Sequence, residues 1–133
     1  MWILLESVLH NKNIAMKKAD VDMYEKLHGQ LMTMKNQFEA LSKKNPNDVV
    51  NEFKIGLVNK LLADINGLID DFKPFPDFEQ FEESPKVFNS DVLLILAQYL
   101  TAMYRFRQAN IIIEKSPLNT DWMDNVESWN IKD

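Results

Sequence analysis

The 133-residue chain has no cysteine and only three glycines. The first absence excludes disulfides, thiol catalysis, zinc–thiolate sites and iron–sulfur clusters. The second removes the loops that cradle phosphates. No P-loop, GxGxxG, HExxH, GxSxG or EF-hand pattern occurs. A basic stripe is lacking too. The net charge is −5, spread as +2 over residues 1–47, −5 over 48–90, +1 over 91–115 and −3 over 116–133. Nucleic acid is therefore not an expected partner, and an acidic body is repelled by anionic lipid. No apolar run is long enough for a membrane span. The richest, VLLILAQYLTAMYRF, is interrupted by Gln98 and Thr101, and a span needs about 20 residues. The opening MWILLESVLHNKN has no basic flank and no small-residue cleavage site, so it reads as a helix and not as a signal peptide. The expectation is a cytoplasmic protein without a cofactor.

What is present is a helical pattern. Apolar residues make up 46% of the chain and charged residues 26%, near globular averages. Between Asp22 and Lys44, residues Tyr24, Leu27, Leu31, Met34, Phe38 and Leu41 recur in steps of three and four, the spacing of a helical seam. Asp22 with Glu25 has the form of a capping box, and Asn45-Pro46 ends the helix. Residues 2–19 also read helical, with Leu5, Leu9, Met16 and Ala19 on one side. The phase slips near Met23, which fits either a break near Ala19–Asp22, the preferred reading, or a single long helix over 2–44 with a stutter. A third helix is predicted over Val49–Phe72, capped by Asp48, with its stripe at Val50, Phe53, Leu57, Leu61, Ile65, Leu68 and Phe72. A fourth runs from Asp91, capped by Ser90, to about Glu114. It is apolar nearly all round, with one polar line at Gln98, Thr101, Arg105 and Gln108, so a central place in the fold is expected. After Pro117 a last helical turn is predicted, capped by Thr120, with Trp122, Val126 and Trp129 on one face.

The fold class expected is therefore all-α: a single domain over residues 1–133, an antiparallel bundle of about four main helices with a Phe/Pro-rich crossover at 72–90 and a tail at 116–133. The crossover is the most unusual stretch. Residues 72–88, FKPFPDFEQFEESPKVF, hold five of the eight phenylalanines, three of the five prolines and four acids. Phe72, Phe75, Phe78 and Phe81 recur every third residue. The preferred reading is a structural strap with its phenylalanines over the bundle's open end. A partner-binding surface at Phe75, Phe78, Phe81, Glu79 and Glu82 is the second, and a lid over a cavity the third.

Several constellations have residue types that can carry chemistry. Glu25-x-x-His28 has half of a di-iron pattern, but it lies off the apolar seam, so surface residues are the simpler reading. A site that adds His10 requires the first two helices to pack side by side. Glu52, Asp64, Asp70 and Asp71 make an acidic third helix, read as a solvated face. Arg105 and Arg107 are the only arginines beside thirteen lysines. Arg107 falls on an apolar face with Leu100 and Met103, and a buried guanidinium needs a partner. That partner is expected to be an acid of the third helix or the strap. The alternative is an anion-binding pocket of Arg107, Tyr104 and Asn110. Trp122, Val126 and Trp129 are expected to dock on the chain's own bundle, with another protein's groove as the alternative.

These features favour a non-enzymatic helical protein-interaction module. It would self-associate as a two-fold dimer through surplus apolar surface, or act as an acidic inhibitor or immunity-type protein through residues 77–83. The competing reading is a small bundle enzyme or anionic-ligand binder with its pocket near Arg107.

Overall fold

The first helix, α1, spans Lys18–Lys44 in a computed structural model that describes residues 15–115 and 125–131. Its seam turns inward as its spacing requires. Tyr24, Leu27, Leu31 and Phe38 are buried, and Met34 and Leu41 pack at the edge of the core. The helix begins four residues before the Asp22 start expected from the capping pattern. Met16 is extended, not helical. Its N–H donates to the Asn130 carbonyl at 2.8 Å, and it forms a parallel bridge with Ile131. Residues 15–17 are thus non-helical, and α1 runs unbroken through Ala19–Asp22, where a break was expected. The rest of the helix expected over 2–19 lies outside the described residues.

Helix α2 spans Glu52–Ile69, and Asn51 is its cap, accepting from the Lys54 N–H at 2.9 Å. Asp48 does not cap it. Its backbone carbonyl instead accepts from the Asn89 N–H. The core face of α2 is Val58, Leu61, Leu62, Ile65 and Ile69. The predicted stripe shares only Leu61 and Ile65 with this set. Phe53 is 75% exposed and Leu57 49%. The cause is geometric. Residues 53, 57, 61 and 65 are four apart, each step overshoots a full turn by about 40°, and Phe53 ends up about 120° around the helix from Ile65.

A 3-10 turn, Asp70–Phe72, follows α2. Asp70 has φ 43°, ψ −100°, a conformation that costs a residue with a side chain about 1–3 kcal/mol. Its carboxylate also sits at a helix C-terminus, where the macrodipole disfavours an anion. Replacing Asp70 by glycine is expected to raise stability by about 1 kcal/mol, after the extra entropy glycine loses on folding. A urea midpoint that falls in this variant would contradict the assignment of strain.

The crossover, residues 73–88, runs back along the body. Phe78, Phe81 and Val87 pack against the core, and Phe78 stands edge-on to both Phe75 and Phe81. The Asn59 side chain of α2 holds the middle of this strap by both its polar atoms. Nδ2 donates to the Phe81 carbonyl at 2.9 Å, and Oδ1 accepts from the Phe81 N–H at 2.8 Å. The far end is stitched to the α1–α2 loop. The Val50 N–H donates to the Val87 carbonyl, and buried Asn89 donates through Nδ2 to the Asn45 carbonyl at 2.9 Å.

Helix α3, Asn89–Ala109, therefore starts beside the start of α2. At the other end Phe72 meets Phe106 with ring centroids 5.7 Å apart. Hence α2 and α3 run parallel, α1 runs against both, and the strap is long because it must return over the full length of α2. The Phe88 N–H donates to the Asp91 carboxylate at 2.9 Å, so the start of α3 is held by Asp91. Val92, Leu96, Tyr99, Ala102 and Met103 are buried. Gln98, Thr101, Arg105 and Gln108 are exposed, the one wet line its sequence shows.

Beyond Ala109 the expected helix does not continue. Ile111–Lys115 forms β1, paired antiparallel with β2, Asn125–Trp129, with Ile111 opposite Trp129. Three consecutive isoleucines fit an extended chain better than a helical turn. In β2 the side chains alternate, so Val126 and Trp129 lie on opposite faces, not on the single face predicted for a helix. Thr120 and Trp122 lie outside the described residues. The chain is mostly helical, with three α-helices and one two-stranded sheet among the described residues; most of the first of the four expected helices lies outside them. No helix among them is long and apolar enough to cross a membrane.

Candidate functional site

The three residues expected around an anion pocket do not converge. Arg107 turns to the hairpin. Its guanidinium pairs with Glu127 at 3.2 Å and lies 5.7 Å from the centre of the Trp129 ring, a cation–π contact. The acid comes from β2, not from the helix or the strap where it was expected. Asn110 bonds back to the Phe106 carbonyl at 2.7 Å. Tyr104 is 59% exposed. Asn110 lines a cleft of about 820 Å³ between the start of α1 and the end of α2, beside Lys17, Lys60, Asp64 and Asp70, but Arg107 and Tyr104 do not.

Trp129 locks the hairpin onto the body. Its ring meets Tyr24 edge-on with centroids 4.9 Å apart, and its Nε1 donates to Glu25 at 3.3 Å. His28 stacks on Tyr24. Glu25 and His28 are thus occupied in a clasp, and His10 lies outside the described residues. Among the described residues no cluster of histidines and acids could hold a metal ion.

In the strap, Phe78 and Phe81 face the core while Asp77, Glu79, Glu82 and Glu83 face water. Glu79 is bound to Lys73 at 3.1 Å. Phe75 is half-buried beside Phe78. The aromatic members of the expected interaction surface are turned largely inward, and its acids remain outside.

Two buried phenols are expected to make the stability of the fold pH-dependent. The Tyr24 hydroxyl donates to the Met103 carbonyl at 3.1 Å. Burial pushes its pKa up, Arg107 acts against that, and Glu25 adds to it. Burial likewise raises Tyr99, with Asn66 and Lys73 opposing and Glu79 assisting. The Tyr99 hydroxyl lies beside Asn66 without the geometry of a hydrogen bond. A raised phenol is stabilising while it stays neutral, so this stability is complete below the ordinary tyrosine value of about 10 and is lost as pH rises through the folded value. The urea midpoint is expected to hold to about pH 9 and fall above pH 10. Tyr99→Phe should cost little at neutral pH, since its hydroxyl has no partner, and should flatten the alkaline fall. The same alkaline slope in Tyr99→Phe and wild type would contradict this.

Among the described residues an apolar groove runs between α1 and α2. Its first part, about 560 Å³, is formed by Met34, Phe38 and Leu41 of α1 with Phe53, Leu57 and Val58 of α2, and Lys44 and Lys54 border it. A second part, about 900 Å³, continues toward Gly29, Lys60 and Asp64. The two share Met34, Gln37 and Leu57, so they form one face. The seam-and-stripe reading missed it because it assigned Phe53 and Leu57 to the core. The drift of a four-residue step is the signal that could have found it. No protein-family model matches the chain, and neither curated proteins nor solved structures offer a match.

Proposed function

We propose that the chain is a non-enzymatic helical protein-interaction module, and that the α1–α2 groove is the face it offers to a protein partner. The observation that supports this is Phe53, 75% exposed at the edge of the groove with half-exposed Leu57 beside it. Single apolar residues on a surface need no explanation. Here a phenylalanine, two leucines and a methionine are contiguous across two helices. Left in water, Phe53 adds little to the chain's own stability. Covered by a partner it would contribute about 1.5–3 kcal/mol. The groove has the form that receives an amphipathic helix.

The self-association expected from the sequence rested on apolar surface of the helix now seen as α3. Most of that surface is covered by α1, α2 and the strap, so the α1–α2 face is the better place for a second copy as well. The anion-binding reading has less support, because Arg107 already holds Glu127 and Trp129.

A display selection of helical peptides against the whole chain tests the docking reading. Enriched peptides should share an apolar stripe and lose binding to the Phe53→Asp variant. Enrichment no better than that of a control protein, or binders indifferent to Phe53→Asp, would reject it.

A further inference from the structure

We propose that the groove accepts an amphipathic helix with acidic side chains in its first turn, seated so that this turn lies over Lys44 and Lys54. The inference rests on the docking reading above and adds the partner's charge and direction.

Charge along the groove is uneven. The end near Phe53 carries Lys44 and Lys54 and no acid. Neither lysine takes part in an ion pair among the described residues. The other end carries Glu25, Lys26, Lys60 and Asp64, which balance, and Lys60 is already bound to Asp64 at 3.0 Å. The positive end stands out on a chain of net charge −5.

The fold does not account for Lys54. It sits in the first turn of α2, where the macrodipole disfavours a cation. A carboxylate from a partner would offset that. The same end holds the C-terminus of α1 and the N-terminus of α2, whose dipole charges offset each other, so the lysines set the partner's direction: first turn over them, axis antiparallel to α1. Acids are also the residues a helix prefers in its own first turn. Toward the balanced end, Gly29 leaves the groove wall low, with no atom within 4 Å of where a Cβ would stand, so a partner helix can come close there. A second copy of this chain complements the lysine end less well, since it offers that end either the same lysines or the balanced end.

The test uses the full chain and two labelled, alanine-rich peptides of about 18 residues, long enough to form helix. Both carry leucine at positions i, i+4, i+7 and i+11. One has two glutamates in its first turn and the other two lysines. Anisotropy titrations at low salt should show the glutamate peptide binding about tenfold tighter, the scale of two exposed ion pairs. The gap should close near 1 M salt. Lys44→Glu with Lys54→Glu should reverse the preference, and Lys54→Gln, which disturbs the helix less, should shrink it. Equal binding of both peptides, lost in Phe53→Asp, would overturn the charge assignment and leave the docking reading intact. Binding of neither would overturn both. A stable dimer that neither peptide dissociates would make a second copy the occupant and overturn the inference.

Discussion

Replacing Asn59 by alanine is expected to destabilise the chain by about 2–3 kcal/mol. Its amide makes two hydrogen bonds to one residue of the strap, at 2.8 and 2.9 Å to the Phe81 N–H and carbonyl. Each bond contributes about 0.5–1.5 kcal/mol net, and any partly buried group left unpaired adds a further penalty. Phe81 and Phe78 lie over the core through this anchor, so a loosened strap also loses apolar burial. Asn59→Asp is a stringent companion. It keeps an acceptor for the Phe81 N–H but sets a carboxylate oxygen against the Phe81 carbonyl, so it should be at least as damaging at neutral pH. The readouts are the urea midpoint and limited proteolysis within residues 73–88. An alanine variant within about 0.5 kcal/mol of wild type, with the strap still protected, would show that the phenylalanines hold the strap unaided.

Phe53→Asp has the opposite expected signature. Phe53 lies in water, so its replacement should leave the urea midpoint within about 0.5 kcal/mol of wild type, the usual range for surface changes. Binding of an apolar helix to the groove should fall at least a hundredfold, about 2.7 kcal/mol. That is the loss expected from removing a covered phenylalanine and setting a carboxylate in an apolar contact. Leu57→Asp should behave alike, because Leu57 borders both parts of the groove. A large loss of stability in either variant would mean that these side chains serve the fold, and the docking assignment would fail.

The contrast between these two residues shows how far the chain could be read in advance. The α1 seam was legible because its steps alternate three and four and stay on one side of the helix. The strap was legible as a phenylalanine-lined crossover, since a 17-residue connection is too long to join antiparallel neighbours. Its anchor was not, because nothing local marks Asn59 as the residue that meets Phe81, 22 positions away. The hairpin was hidden for a related reason. Ile111–Ile113 extend the apolar run of α3 with no glycine or proline between, and only pairing with Asn125–Trp129 makes them a strand. Arg107 was recognised as an arginine in need of a partner, but its acid lies 20 residues on, in a segment read as helix. The groove was misread through a phase error of about 120° in α2.

The central claim is that the α1–α2 groove is a docking face. The most direct measurement is a ¹⁵N-resolved shift map of the full chain titrated with the glutamate-headed helical peptide. Perturbations concentrated on residues 34–44 and 53–61 are the predicted result. Perturbations centred on the strap or the hairpin, or none at saturating peptide, would contradict it.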